Sequence, residues 1–301
     1  MKVFEGDSFT KIYLQIREEL LNTTQEVSPR GLKTKEISPA IIQLHNPRSR
    51  LIYNSKRKFN LPFAVSEAIL FFGDNNLLEL YSHYNKNVEQ FSDDGKIARG
   101  AYGPRIHNFI RGIVEKLEEK EDTRQAVLNI YSAAYDIYIT SKDIPCTLTL
   151  QFLIRNNKLD LIVNMRSNDF IWGTPYDIFV FTIFQEVIAN ELGKDVGDYY
   201  HIVGSLHVYE YHYKLLEEID QVETIEFKVD YEIQDMYDLN REYLFAAIKK
   251  DIREISDGND IFREILYRKE IKMRSQELDI NFMDDEWLAN KWILKYIKGI
   301  E

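Results

Sequence analysis

The alternation of apolar and polar side chains in the middle of the chain restricts its fold most. Residues 147–155 (TLTLQFLIR) and 158–166 (KLDLIVNMR) repeat with a period of two, as half-buried strands do, and Asn156-Asn157 between them predicts a tight turn. Residues 175–192 follow as a strongly apolar stretch that opens with Pro175 and ends before Gly193, which predicts a buried helix. A hairpin followed by such a helix predicts an α+β domain.

The rest of the chain supports the same class. We expect helices at 8–22 with Ser8 as N-cap, at 64–84 as a pair split at 73–75, and at 105–119. Strands are expected at 126–131 and 199–209, and residues 23–60 are expected to form a loop region with a short strand around 40–45. The last ~90 residues are charge-rich and helical by pattern. We therefore predict a core at 1–212 and a mostly helical extension of the same domain at 213–301.

Composition excludes several classes of protein. The 301 residues carry a formal net charge of -11, which repels polynucleotides and anionic membranes. The beginning of the chain lacks the apolar stretch of a signal peptide, and no stretch approaches the ~20 apolar residues of a membrane span, so a cytoplasmic location is expected. A single cysteine excludes an intrachain disulfide, and neither GxGxxG nor GxxxxGK[ST] occurs.

Cys146 is the first candidate for chemistry. It stands between Pro145 and the first strand of the hairpin. If the two strands pair about the Asn156-Asn157 turn, Arg166 at the far end lies beside Cys146. A neighbouring guanidinium lowers a thiol pKa and favours the nucleophilic thiolate. The structural alternative is a small buried core residue.

Other polar residues in the chain also suggest a site. Arg166 and Ser167 in NMRSND suit a phosphate, although a solvated strand end would look the same. Glu67 lies in the apolar stretch AVSEAILFF, where burial would raise its pKa into a range useful for proton transfer, unless it faces solvent. His207 and Tyr209 alternate on a strand and so face one side, as a core histidine beside a surface tyrosine also would.

Taken together and in order, these residues resemble the thymidylate synthase superfamily over about residues 60–212. The similarity is greatest to the phage deoxycytidylate hydroxymethylase branch, and the segments LQFLIRNNKLDLIVNMRSND and VGSLHVY carry most of it. Thr147 and Met165 stand where thymidylate synthases usually have histidine and glutamine. The positions that match the superfamily are Glu67, Tyr102-Gly103, Asp122-Thr123-Arg124, Pro145-Cys146, Arg166-Ser167, Asp169, Gly173, Asp177, His207 and Tyr209.

The resemblance implies a fold, a partner and a co-substrate. The expected fold is a mixed β-sheet packed by helices, with one sheet face used to form a homodimer. The expected co-substrate is 5,10-methylenetetrahydrofolate, without a metal ion. The C-terminal segment KWILKYIKGIE does not resemble the short apolar tail that closes over the folate in thymidylate synthases.

The resemblance also implies roles for individual residues. Cys146 would add to C6 of a pyrimidine, and Glu67 would organise water and shuttle protons. Substrate contacts are expected from Arg166, Ser167 and Arg48 (or Arg50) at the phosphate, from Arg124 of the partner subunit at the same phosphate, and from His207 and Tyr209 at the sugar. The folate side would be lined by Asp169, Trp172, Gly173 and Tyr176.

Asp177 predicts which pyrimidine base the substrate carries. Thymidylate synthases typically have asparagine here, whose amide donates to O4 of uracil and accepts from N3–H. A carboxylate instead accepts from the exocyclic amino group of cytosine, whereas opposite uracil two acceptors would be left unpaired. We therefore expect a 5-hydroxymethylase of dCMP or CMP. Taken alone, Asp177 would also suit the first turn of a helix for the helix dipole.

The same residues also fit other functions. A thymidylate synthase or a uridylate hydroxymethylase with an unusual Asp177 fits the same pattern, and so does an inactive nucleotide-binding homologue. A zinc-dependent cytidylate deaminase is excluded because its site needs a second cysteine. The sequence leaves ribose and deoxyribose both open.

Overall fold

The strands form three sheets in this computed structural model, which describes residues 1–54, 56–220, 223–249 and 260–277. Along the chain the strands are β1 (Lys2–Gly6), β2 (Glu26–Val27), β3 (Thr34–Ile37), β4 (Ala40–Leu44), β5 (Leu51–Tyr53), β6 (Val127–Asn129), β7 (Thr147–Arg155), β8 (Lys158–Met165), β9 (Asn168–Asp169), β10 (Asp195–Val203), β11 (Leu206–Tyr209) and β12 (Glu223–Ile225).

Helices cover the sheets and build the C-terminal part. They are α1 (Phe9–Asn22), α2 (Leu61–Leu70), α3 (Leu78–Ser82), α4 (Gly103–Ile106), α5 (Ile110–Glu119), α6 (Ala133–Asp136), α7 (Thr174–Glu191), α8 (Tyr213–Glu218), α9 (Ile233–Lys249) and α10 (Ile261–Glu277). Short 3-10 helices occur at Pro29–Gly31, Lys86–Phe91, His107–Phe109 and Glu210–His212. No described helix is long and apolar enough to cross a lipid bilayer.

The predicted hairpin is the centre of the largest sheet. Its strand order is β1-β4-β10-β8-β7-β6, with parallel β1/β4 and β8/β10 pairs and antiparallel neighbours elsewhere, so the sheet is mixed as expected. Asn156 and Asn157 turn the chain with φ of 51° and 60°, a conformation that asparagine tolerates well. At the open end of the hairpin, the backbone N–H of Arg166 donates to the carbonyl of Cys146 at 2.9 Å.

Helix α7 is the core of the molecule. It packs on β8 and β10 with one side and on α2 with the other, and residues 178–189 are all buried. A helix that is apolar on every side is stable only when it is enclosed in this way. It ends at Gly193, whose φ of 61° suits glycine. The predicted helix at 175–192 is confirmed.

Residues 199–209, predicted as one strand, belong to two sheets. β10 lies in the large sheet, whereas β11 lies in a second sheet of order β2-β3-β11-β9. Gly204 lies at the crossing, where a Cβ atom would come within 2.8 Å of the carbonyl oxygen of Arg166. A side chain there would prevent this close passage.

The N-terminal part has more strands than the sequence predicted. β1 was not expected, and residues 23–60 contain β2, β3 and β5 in addition to the predicted β4. β2 and β5 span two and three residues, which is too short for the alternating pattern to be recognised. The helix predicted at 105–119 is interrupted by the 3-10 turn at His107–Phe109.

The described part of the C-terminal extension is largely helical and packs against α2 and α3. Asn240 Nδ2 donates to the carbonyl of Ile69 at 3.1 Å, and the Tyr243 hydroxyl donates to that of Leu80 at 2.7 Å. The first bond holds α9 against α2, the helix that carries Glu67, and the second holds it against α3. The remaining part of the predicted extension, at 221–222, 250–259 and 278–301, lies outside the described residues.

Candidate active site

One cavity of about 220 Å³ brings together three candidate residues from distant parts of the chain. Glu67 reaches it from α2, Cys146 from the residue before β7, and Asp177 from the first turn of α7. Each is half-buried, with its remaining exposed surface at the cavity. The wall is completed mainly by apolar side chains and by Tyr81, Tyr102 and Asp143.

Glu67 and Asp177, two of the three carboxyls that line the cavity, hold their protons more tightly than usual. Burial, and then the neighbouring Asp177, raise the pKa of Glu67 to about 8. Burial raises the pKa of Asp177 to about 7, against a hydrogen bond from Asn168 that favours the charged form. The predicted rise of the Glu67 pKa is confirmed, and the solvent-facing alternative is wrong. Both carboxyls therefore exchange their protons much closer to neutral pH than a solvent-exposed carboxyl does.

The expected lowering of the Cys146 pKa is wrong. Burial raises the pKa of the thiol more than Arg166 and Arg30 lower it, and the carboxyls of Asp177 and Asp143 raise it further. The sequence placed the arginine correctly, but not the apolar wall or the acids around the sulfur. The thiol is thus mostly protonated at neutral pH, so forming the nucleophile requires a nearby proton acceptor.

Arg166 lies beside Cys146, as the hairpin predicts. Its Nε donates to the carbonyl of Pro145 at 3.0 Å and its Nη2 to that of Ile144 at 2.9 Å. These bonds tie the guanidinium to the segment that ends in the cysteine, while the residue itself stays exposed to solvent. Ser167 follows and is half-buried. A cation thus marks the opening next to the thiol.

Arg30 is a second cation near the thiol that sequence reasoning missed. It lies in the 3-10 turn Pro29–Gly31 with a φ of 55°, followed by Gly31 with a φ of 77°. Its charge lowers the pKa of both Cys146 and Tyr209, so it lies close to both. The signal in the sequence is the string Pro29-Arg30-Gly31, because proline and glycine favour a turn.

The structure does not bring Arg48 to the cavity. Its Nε donates to Glu186 Oε1 at 2.5 Å, and Nη2 of Arg50 donates to Glu186 Oε2 at 2.5 Å. Glu186 is fully buried on α7, nine residues after Asp177 and so roughly 13 Å further along the helix. The expectation of Arg48 at the phosphate is therefore corrected, because a buried carboxylate needs these cations as counter-charges.

Arg124 is exposed just before the edge strand β6, and its carbonyl accepts from Gln151 Nε2 at 3.0 Å. It is not among the residues that line the cavity of its own chain. Its role across a subunit interface stays a prediction.

His207 and Tyr209 face the same side of β11, as the alternation predicts. Their rings meet edge to face with centroids 5.0 Å apart, and Tyr209 stacks on Tyr211 at 5.2 Å. The charges of Cys146 and Arg166 act on the pKa of Tyr209, and His207 on β11 lies opposite Asp169 on β9. Both residues therefore lie between the thiol and the second group of candidates.

That second group lies on the loop between β9 and α7. Oδ1 of Asp169 accepts from the backbone N–H groups of Ile171 at 2.7 Å and Trp172 at 2.5 Å. Its Oδ2 is buried and has no hydrogen-bond partner among the described residues. A pterin ring carries N–H donors that would satisfy such an acceptor, so Asp169 fits the expected folate. The indole of Trp172, 45% exposed, lies beside it and donates to His212 at 2.7 Å.

Gly173, at the end of this loop, and Tyr176, in the first turn of α7, support the local structure. The Tyr176 ring is buried, stacks on Phe59 at 4.7 Å, and lies under the guanidinium of Arg57. A Cβ atom at Gly173 would meet Asn168 Nδ2 at 2.7 Å. Gly173 thus leaves room for the amide that holds Asp177. Within the described part of the chain, no cluster of three or more His, Cys, Asp or Glu side chains could hold a metal ion.

A thiol and proton-holding carboxyls in one cavity, with the charges of Arg166 and Arg30 acting on the thiol, define a covalent transferase site, here on a mixed sheet. The family model described as thymidylate synthase matches residues 11–245. The chain belongs to the thymidylate synthase family, whose members transfer one-carbon units with 5,10-methylenetetrahydrofolate as co-substrate.

Individual relatives agree with this assignment. The chain is 36% identical over 276 residues to the deoxyuridylate hydroxymethyltransferase of Bacillus phage SP01, covering 86% of this chain and 69% of that protein. It is 31% and 33% identical to the proteins of the same name from Pseudomonas phage M6 and Delftia phage PhiW-14, over 54% of this chain in each case. The aligned part spans about half of those two proteins, 49% and 50%.

A solved structure supports the fold alone. Thermostable thymidylate synthase A from Bacillus subtilis superposes with a TM-score of 0.63 at 20% identity, covering 77% of this chain and 91% of that one. The expected thymidylate synthase-like fold is confirmed. The expected hydroxymethyltransferase branch also agrees with the relatives, but their names give deoxyuridylate where the sequence predicted cytidylate.

Proposed function

We propose that this chain is a 5-hydroxymethyltransferase of a cytidine nucleotide, dCMP or CMP, with 5,10-methylenetetrahydrofolate as co-substrate. The observation that carries the base is Asp177. Its carboxyl shares a cavity with the Cys146 thiol, so a pyrimidine bonded to the sulfur would lie within reach of residue 177.

The base follows from hydrogen-bond polarity. Ionised Asp177 only accepts, which suits the exocyclic amino group of cytosine and leaves O4 of uracil opposite another acceptor. Neutral Asp177 both donates and accepts, which suits N3 and the amino group of cytosine together. The exocyclic amino group of cytosine thus has a partner in both protonation states of Asp177, although the ionised form leaves N3 of cytosine without a donor, whereas O4 of uracil has a partner only in the neutral acid.

The reaction would proceed through a covalent adduct. The sulfur of Cys146 bonds to C6, and the C5 carbon becomes nucleophilic and bonds to the one-carbon unit that the co-substrate supplies. Loss of the C5 proton and of tetrahydrofolate leaves a methylene group on C5. Water adds its oxygen to that methylene, the sulfur leaves C6, and the product carries CH₂OH on C5. Ionised Asp177, and Glu67 at higher pH, are the proton acceptors near the thiol.

The remaining candidates would hold the nucleotide and the folate. Arg166, Arg30 and Ser167 flank the opening beside Cys146 and suit the phosphate, and His207 and Tyr209 suit the sugar. Oδ2 of Asp169, with Trp172 beside it, would receive the pterin. Tyr176 and Gly173 would support that site from behind.

A homodimer would form on the sheet face opposite α7. The side chains on this face include Ile41, Leu153, Ile162 and Ile202, which are half-buried in the single chain. Polar side chains such as Gln151, Asn164 and Tyr200 lie between them, so the face is mixed, as the surfaces that form subunit interfaces commonly are. Arg124 lies at the β6 edge of the same sheet, where it could reach a partner's phosphate site. Analytical ultracentrifugation should give twice the chain mass, and a monomer would contradict this part of the proposal.

Deoxyuridylate is the second candidate substrate. Three relatives carry its name, and the pKa of Asp177 near 7 leaves a neutral fraction that matches uracil. A thymidylate synthase has less support, because the hydroxymethyltransferase of Bacillus phage SP01 matches 86% of the chain, whereas a putative thymidylate synthase of Methanocaldococcus jannaschii matches 59%. An inactive homologue has less support because the thiol and the carboxyls share one cavity.

The test is product mass. The protein is incubated with methylenetetrahydrofolate and dCMP, CMP or dUMP. The mass of each nucleotide is then measured by mass spectrometry. A gain of one CH₂O unit on dCMP or CMP is the expected result. The same gain on dUMP alone supports the second candidate, a gain of CH₂ indicates a methylating enzyme, and no product with any nucleotide contradicts the proposal.

A further inference from the structure

A row of buried polar side chains, joined by hydrogen bonds, leads to the carboxyl of Asp177. The Tyr199 hydroxyl lies 2.7 Å from Nδ1 of His201, and Nε2 of His201 lies 3.1 Å from Oδ1 of Asn168. Asn168 in turn donates from Nδ2 to Oδ2 of Asp177 at 2.6 Å. This hydrogen-bonded row extends from β10 in the large sheet to the first turn of α7.

Each hydrogen bond in this row has a definite donor and a definite acceptor. Tyr199 and His201 are fully buried, and burial lowers the pKa of His201 to about 3, so its ring is neutral. The carbonyl oxygen of Asn168 only accepts, so His201 carries its proton on Nε2 and accepts from Tyr199 on Nδ1. Thr174 Oγ1 also donates to that carbonyl oxygen at 2.7 Å. With its oxygen held by two donors, Asn168 turns its NH₂ group to Asp177.

The space around Asn168 holds the amide in place. Asn168 is 3% exposed, and Gly173 approaches its Nδ2 so closely that a Cβ atom would collide with it. An amide enclosed in this way has little freedom to rotate or flip. The orientation of the Asp177 carboxyl is therefore fixed by a side chain outside the cavity lining.

We propose that Asn168, backed by His201 and Tyr199, is a positioning residue for base selection that keeps Oδ2 of Asp177 as a hydrogen-bond acceptor and leaves Oδ1 for the base. This inference rests on the proposed function, because it assumes that Asp177 meets the base. It adds that the selectivity of Asp177 depends on a donor that no ligand touches.

The physical reason is the balance between the two forms of Asp177. An N–H donor stabilises the carboxylate over the neutral acid, and the carboxylate is the form that rejects uracil. Without the donor, the neutral form extends to higher pH, and its O–H group is free for O4 of uracil. The other titratable groups facing Asp177 are Glu67, Asp169, Tyr102, Cys146 and Tyr199.

The test compares Asn168→Ala with wild type. Dissociation constants for dCMP and dUMP are measured by calorimetry between about pH 5 and pH 9, without folate, so that no turnover is needed. In wild type, the preference for dCMP over dUMP should rise with pH as Asp177 ionises. In Asn168→Ala this rise should move to higher pH, and the preference at neutral pH should fall by about tenfold.

Two further variants guard against a folding artefact. Tyr199→Phe removes one hydroxyl at the far end of the hydrogen-bonded row. It should move the pH profile of the preference for dCMP over dUMP in the same direction by a smaller factor. Thr182→Val removes a buried hydroxyl on α7 that bonds only to its own helix among the described contacts, at Ile178 and Phe179. Its base preference and pH profile should equal those of wild type.

The outcomes separate the two proposals. If wild type prefers dUMP at every pH, the choice of cytosine fails, while the role of Asn168 is still judged by the change in the ratio. If Asn168→Ala keeps the wild-type ratio and pH profile, the positioning role is wrong whichever base is preferred. If Asn168→Ala does not fold, Tyr199→Phe decides, and an unchanged profile there overturns the inference.

Discussion

Helix α7 carries two acids shielded from bulk water, Asp177 in its first turn and Glu186 nine residues later, and their surroundings differ. Glu186 is fully buried and receives N–H donors from Arg48 and Arg50, so its charge is compensated within the protein. Asp177 receives one amide N–H and faces a cavity, and burial raises its pKa to about 7. The same helix thus carries one carboxyl that stabilises the fold and one available to a ligand.

The difference gives a criterion for reading buried acids. When both oxygens of a buried carboxylate accept hydrogen bonds from cations, removing the carboxylate leaves those cations without a counter-charge. Such a carboxylate is not available to a ligand. A carboxyl kept close to its neutral form beside open space holds a proton that it can exchange. Substitutions at the two ends of α7 should therefore affect different properties.

The largest expected effect is on stability, at Glu186. Glu186→Gln leaves Arg48 and Arg50 without their counter-charge and should lower the free energy of unfolding by about 3–5 kcal/mol. Urea denaturation of the purified variant measures it. Arg111→Gln is the matched control, because it breaks the partly exposed pair with Glu191 and should change stability by at most about 1 kcal/mol. A loss at Glu186 no larger than the control would remove the contrast between the two acids.

The next effect is on specificity, at Asp177. Asp177→Asn presents a donor to O4 and an acceptor to N3–H, so kcat/KM should shift toward dUMP relative to dCMP by about 100-fold. Steady-state rates with both nucleotides measure the shift, and Asp195→Asn, an exposed acid at the start of β10, should leave the ratio unchanged. A ratio unaffected by Asp177→Asn would mean that the residue does not meet the base.

The smallest effect is the pH dependence of stability. The folded-state pKa values of Glu67 and Asp177, about 8 and about 7, exceed the values near 4 expected in the unfolded chain. The folded protein therefore binds more protons between about pH 4 and pH 8, and its stability falls as pH rises through this window.

Glu67→Gln should remove part of this fall, on the order of 1–2 kcal/mol between about pH 5 and pH 8. Urea denaturation at the two pH values measures it. Glu115→Gln, at an exposed position of α5, should leave the slope as in wild type. An equal slope in Glu67→Gln would mean that the carboxyl is not buried in the native protein.

Periodic patterns predicted the parts of the fold that are continuous in sequence. The hairpin of β7 and β8, the buried helix α7 and the proximity of Arg166 to Cys146 all follow from local repeats and one turn. The sheet change at Gly204 could not be predicted, because it depends on the chain passing the end of β8. Strands of two or three residues carry too little pattern to detect.

Prediction of the site was limited by contacts between distant residues. Glu67 was recognised because a charge in an apolar stretch is unusual, but nothing local indicated that Arg48 would pair with Glu186, 138 positions away. The raised thiol pKa depends on the acids of residues 143 and 177 and on an apolar wall that only the fold assembles. Arg30 and Asn168 were missed because a turn residue and a buried amide look ordinary in sequence.

The most direct measurement is covalent trapping with 5-fluoro-dCMP and methylenetetrahydrofolate. Fluorine at C5 cannot leave as a proton does, so the adduct should accumulate on the enzyme. Mass spectrometry of the digested protein should find nucleotide and folate bound through the peptide that contains Cys146, with far less adduct from 5-fluoro-dUMP and none in Cys146→Ser. No adduct with these two nucleotides or with 5-fluoro-CMP, or an adduct on another residue, would contradict the account.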